Sequence, residues 1–95
     1  MDRAGQISET FNSLRDVVLE KNKRYGDSAL NPIGIFSRNN IEANLYSRAD
    51  DKISRIKNRE GDKIRLNDLS DLVGYLILII IQSQYTSDDI KKLID

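Results

Sequence analysis

The stretch NDLSDLVGYLILIIIQS, from Asn67 to Ser83, decides the fold. Asn67 is a good amino-terminal cap, and Asp68 and Asp71 place negative charge in the first turns, where the helix dipole favours it. The β-branched residues that follow also favour sheet, but no other stretch of the chain reads as a partner strand. A helix running to about Ser83 is therefore expected. Its apolar part, Leu72 to Ile81, falls well short of the ~20 residues a membrane span needs, so it reads as buried core. This helix is apolar almost all the way round and must be covered on every side. Two further amphipathic helices and a short tail cannot do that, so it is expected to pack against its mate in a symmetric dimer or larger assembly.

Working outward, Ile7, Phe11, Leu14 and Val18 recur at spacings of four, three and four. That is one face of a first helix, from Gln6 to about Arg24. Lys21, Lys23 and Arg24 suit the carboxyl end of its dipole, and Gly26 supplies a left-handed stop. Asp27 to Arg38 holds the one proline, Pro32, with Gly34, and is expected to be a structured loop anchored by Ile33, Ile35 and Phe36. Asn39 or Asn40 caps a second helix whose apolar stripe is Ile41, Leu45, Ala49, Ile53 and Ile56, ending near Asn58. Arg59 to Arg65, with Gly61, reads as a solvent-facing turn. Ile90, Leu93 and Ile94 suggest a last short helix starting at Thr86 or Ser87. The expected fold is all-α: one domain over residues 1–95, a small bundle of three main helices plus a short carboxy-terminal one, oligomerising through the third.

Ninety-five residues bury roughly 60–70% of the surface that the unfolded chain exposes, which makes a thin core. Apolar residues at 39% and charged residues at 32% suit a globule rather than a disordered tail. With fifteen cationic and fifteen acidic side chains the net charge is zero, so no global field draws the chain onto duplex nucleic acid or an anionic membrane. Neither partner is expected. The absence of cysteine removes disulfides and thiol nucleophiles and fits a reducing cytoplasm. The absence of histidine removes the usual general base and transition-metal ligand, leaving hard cations such as magnesium, manganese or calcium. The amino terminus has no apolar core segment, so a cytoplasmic location is expected.

Three clusters can carry chemistry. Asp68, Asp71 and Tyr75 follow at spacings of three and four and share a helix face. Two carboxylates one turn apart can ligate magnesium, or can simply occupy an amino-terminal turn that favours negative charge. Arg48, Lys52, Arg55 and Arg59 form a basic stripe suited to phosphate, although Asp51 stands four residues before Arg55 as in ordinary surface pairs. Glu20 to Ser28, EKNKRYGDS, combines cations, a tyrosine ring and a glycine that allows close backbone approach; it also reads as a plain basic helix terminus. There is no glycine-rich phosphate loop and no nucleophile motif.

KNKRYGDS at 21–28, RADDKISRI at 48–56 and DLSDLVGYLIL at 68–78 together resemble the three motif blocks of a phage and bacterial family of nucleotide-modification-associated domains. That family is in turn similar to MazG-like all-α nucleotide pyrophosphatases. The likeness spans nearly the whole chain and implies an all-α oligomer that binds a nucleotide, with a phage or bacterial source. In the pyrophosphatases, two acids on one helix and a pair spaced three apart on the next hold magnesium. Asp68 and Asp71 match the second pair. The first is not reproduced, since Ser54 and Arg55 stand where acids would follow Asp50 and Asp51; Glu20 can substitute from the first helix.

The leading expectation is an oligomeric nucleotide-binding protein. Lys21, Arg48, Lys52 and Arg55 contact phosphate, Tyr25 stacks on the base, and Asn22, Gly26, Asp27 and Ser28 shape the pocket. Glu20, Asp51, Asp68 and Asp71 are the candidates for magnesium. The rival readings are a magnesium-dependent nucleoside triphosphate pyrophosphohydrolase, an anti-defence sponge for a cyclic-nucleotide or ADP-ribose-type signal, and a protein interaction module.

Overall fold

The computed structural model describes residues 2–25 and 41–95, and the side chains of 2–24 and 42–95. The expected loop from Asp27 to Arg38, with the Gly26 stop and the Asn39 or Asn40 cap, lies outside the described residues. Helix α1 spans Arg3–Tyr25, α2 Ile41–Lys57, α3 Leu66–Gln82 and α4 Ser87–Lys91, the last continuing as a 3-10 turn over Lys92–Ile94. No strand occurs among the described residues, and the all-α expectation holds: three main helices and a short carboxy-terminal one.

Helix α1 begins three residues earlier than its apolar period suggests, because Asp2 caps it. The Asp2 carboxylate accepts from the Gly5 amide at 2.7 Å, and its carbonyl accepts from Gln6 at 3.0 Å. Leu14 and Val18 are half-buried, whereas Ile7 and Phe11, expected on the same buried face, are exposed. The second half of α1 therefore meets α3, at Val18 beside Gly74 and Lys21 beside Asp71.

The main packing is α2 on α3. Leu45 is fully buried and Ala49 nearly so, and Ile56 is half-buried. Ile53 corrects the expected stripe: it is 51% exposed, and the inward place at that level belongs to Lys52. The period explains the exchange, since 45, 49, 52 and 56 run at four, three and four, and position 53 falls on the flank. An ammonium at a core position requires partners, and α3 provides them.

The turn between α2 and α3 is closed by Arg59, whose guanidinium donates to the carbonyls of Ile56 at 2.8 Å and Asp62 at 3.2 Å. The first bond satisfies an orphan carbonyl at the end of α2, and the second ties down the turn itself. Gly61 has φ +77°, the left-handed region that side chains resist. The start of α3 also departs from expectation: its cap position is Arg65, without a side-chain cap bond, and Asn67 lies inside the first turn. Asn67 turns instead toward Lys21 and Asp71. At the far end, Ser83 donates from its amide and hydroxyl to the Ile79 carbonyl, and Gln84 at φ 66° stops the helix. Thr86 caps α4 through a reciprocal pair of bonds with Asp89.

Candidate functional site

Asp71 joins all three long helices. From one turn into α3 its carboxylate receives Lys21 of α1 at 2.5 Å and Lys52 of α2 at 3.0 Å, and Asn67 donates to it at 3.5 Å. Lys52 also stands 3.8 Å from Asp68, which is 3% exposed. Burial pushes the Asp71 carboxyl upward, but hydrogen bonds from Lys21 and Lys52 and the charges of both outweigh it and hold it below the ordinary aspartate value. Asp71 is therefore ionised at neutral pH.

This arrangement bears on the magnesium expectation. Lys52 Nζ reaches both carboxylates from one place, so it already serves as a cation tethered between them. A divalent ion bridging the same oxygens meets two ammonium groups, which oppose it electrostatically. The donor set as it stands does not fit magnesium. The other two candidate ligands lie apart in ordinary surface pairs, Glu20 with Arg24 and Asp51 with Arg55, each at 3.1 Å and more than half exposed. Among the described residues no three acidic side chains gather into a group able to hold an ion.

Beside Asp71 opens a cavity of about 510 Å³ between α1 and α3, with Arg48 entering from α2. Val18, Gly74 and Leu78 give it an apolar side, and Lys21, Asn22, Arg48, Asn67, Ser70, Asp71 and Tyr75 give it a polar one. The volume falls within the ~300–1,000 Å³ of small-molecule sites. Two groups in its wall lack a protein partner among the described residues, one exposed and one buried. The Arg48 guanidinium has no ion-pair partner among the described residues. Ser70 is 8% exposed, and its hydroxyl has no hydrogen-bond partner among the described residues. A buried hydroxyl left without a partner costs free energy of about 1–3 kcal/mol, which a bound molecule can restore. Gly74 has a local role as well: a methyl group there meets Val18 at 3.7 Å, ordinary contact, so the glycine deepens the cavity rather than avoiding a clash.

Of the expected ligand-binding residues, the structure brings Lys21, Asn22 and Arg48 into this cavity, with Lys52 behind Asp71. Arg55 does not join them. It lies in a second hollow of about 490 Å³ between the end of α2 and the start of α3, with Arg59, Lys63, Arg65 and Asp68. The side chain of Tyr25, and Gly26, Asp27 and Ser28, lie outside the described residues. Ser70 and Gly74 were not anticipated, although a serine and a glycine four apart in an otherwise apolar helix are the signal that finds them. The aromatic ring in the cavity wall is that of Tyr75.

Comparison of the chain with protein-family models, with curated proteins and with solved structures finds no match.

Proposed function

We propose that the chain binds a small phosphorylated ligand, of nucleotide type, in the cavity between α1 and α3. The observation that carries this reading is the exposed Arg48 guanidinium, without an ion-pair partner among the described residues, at a pocket of nucleotide-compatible size. A planar fork of donors with no carboxylate partner suits a phosphate. Lys21 supplies a second positive edge, Asn22, Asn67 and Ser70 supply hydrogen bonds to sugar or base, and Tyr75 with Val18 and Leu78 supplies an apolar surface for a ring.

The charge count narrows the ligand. Among the side chains that line the cavity, Lys21 and Arg48 bring two positive charges against the one of Asp71, an excess of one. That balance suits one or two negative charges, as on a nucleoside monophosphate or a cyclic phosphodiester, better than a free triphosphate. Binding without turnover is therefore the reading favoured over pyrophosphohydrolysis.

Calorimetric titration with nucleoside monophosphates, cyclic nucleotides, triphosphates with and without magnesium, and the unphosphorylated nucleosides tests it. Heat is expected from a low-charge phosphorylated compound and none from its nucleoside. Arg48→Ala should weaken that binding about tenfold to a hundredfold, the worth of one charged hydrogen-bonding pair. No heat from any compound overturns the proposal.

A further inference from the structure

The hollow between the end of α2 and the start of α3 is built unlike the cavity beside Asp71. Every side chain that lines it is polar or charged and none is aromatic, so it offers no face to a base or another ring. Arg55, Arg59, Lys63 and Arg65 bring four positive charges against the two of Glu60 and Asp68, an excess of two. Asp51, paired with Arg55, and Lys52, beside Asp68, carry opposite charges at its edges and leave that balance unchanged. All four cations are exposed, and Lys63 and Arg65 have no ion-pair partner among the described residues. Arg59 is already held in place, because its Nε and Nη1 donate to the carbonyls of Asp62 and Ile56. Fixing a guanidinium in advance lowers the entropy lost when a ligand binds.

Two features of the inner end go beyond surface charge. Helix α3 starts at Leu66 with no side-chain cap, and the amides of an uncapped first turn attract an anion. In that same turn Asp68 lines the hollow at 3% exposure, and its Oδ1 has no hydrogen-bond partner among the described residues. Lys52 Nζ stands 3.8 Å from that oxygen, beyond hydrogen-bond reach. A buried carboxylate repels an anion drawn to this place unless the anion brings a proton of its own.

We infer that the hollow is a second ligand site, for a protonated tetrahedral oxyanion, with inorganic hydrogenphosphate as its occupant. Arg59, Lys63 and Arg65 answer its two charges, and its P–OH donates to Asp68. The carboxylate turns easily about its last torsion, which brings an oxygen to the hollow. Sulfate has the same shape and charge but no proton at neutral pH, so it sets a bare oxygen against the carboxylate. A phosphomonoester loses its second proton at about pH 6 and is disfavoured for the same reason above that value. The hollow shares no lining residue with the cavity beside Asp71, so the inference does not rest on the ligand proposed there.

Amide NMR titration of the full chain with inorganic phosphate, sulfate and methyl phosphate, at about pH 8 and constant ionic strength, tests it. Phosphate should give saturable shifts between Asn58 and Asp68 and bind about tenfold or more tighter than either competitor. Asp68→Asn supplies an amide that also donates, so phosphate should weaken, sulfate should tighten, and the preference should disappear. Should that variant fail to fold, Lys63→Ala and Arg65→Ala should each weaken phosphate about fivefold or more. Arg48→Ala should leave the phosphate titration unchanged. Sulfate or methyl phosphate binding as tightly as phosphate overturns the inference. So does a phosphate titration without saturable shifts, one centred on Lys21 and Arg48, or one that Lys63→Ala and Arg65→Ala leave unchanged.

Discussion

Replacing Asp71 with asparagine keeps the shape of the side chain and removes the charge that ties α1 and α2 to α3. The cost is uneven between its two partners. Lys52 is only 12% exposed, and after the change its nearest carboxylate is Asp68 at 3.8 Å. A charged hydrogen bond lost there is worth about 1.5–3 kcal/mol. Lys21 is 36% exposed and can turn to water, so its share is under about 1 kcal/mol. The sum, about 2–4 kcal/mol, corresponds to a fall in melting temperature of roughly 10–25 °C for a domain this size. Thermal unfolding followed by circular dichroism at pH 7 reads it directly.

The pH dependence adds a second arm. Asp71 titrates below its unfolded value, so its contribution is fully present above that value and is lost as pH falls through the folded one. The gap between wild type and Asp71→Asn should therefore be widest near neutrality and close in acid. A variant melting within about 2 °C of wild type at pH 7, or a gap that persists at about pH 2, refutes the electrostatic account.

Gly74→Ala should raise stability by about 0.5–1 kcal/mol, because alanine favours the helix and the added methyl meets Val18 only at van der Waals distance. Gly74→Leu fills the cavity and should abolish ligand binding while the circular dichroism spectrum stays helical. Leu45→Ala should cost about 2–5 kcal/mol, since Leu45 is the one fully buried large side chain described, and denaturant titration should show the loss as a lower midpoint. Lys52→Met should be tolerated far better in an Asp68→Asn/Asp71→Asn background than alone, a coupling that a double-mutant cycle measures.

The helices were legible because their apolar residues recur at the helical period, and Leu45, Ala49, Leu14 and Val18 do face inward. The Lys52 for Ile53 exchange is hidden, because the period alone points to 52, but an ammonium becomes acceptable there only once Asp68 and Asp71 approach from α3. The Asn67 cap failed for a related reason. Its amide is drawn to Lys21, forty-six residues away, a pairing no local pattern encodes. Likewise Asp68 and Asp71 were visible as two acids on one face, and what the fold adds is that lysines answer them. In the sequence Arg48 and Arg55 are equivalent cations of one basic stripe, and only the packing separates Arg48 from Arg55, which pairs with Asp51 and opens on another surface.

The central claim is that the Arg48 cavity holds a phosphorylated ligand. An amide and guanidinium NMR titration with a nucleoside monophosphate tests it residue by residue. Saturable shifts concentrated at Lys21, Asn22, Arg48, Ser70 and Gly74, and absent from Arg48→Ala, are the expected result. Shifts confined to Arg55, Arg59, Lys63 and Arg65, or none at all, would contradict it.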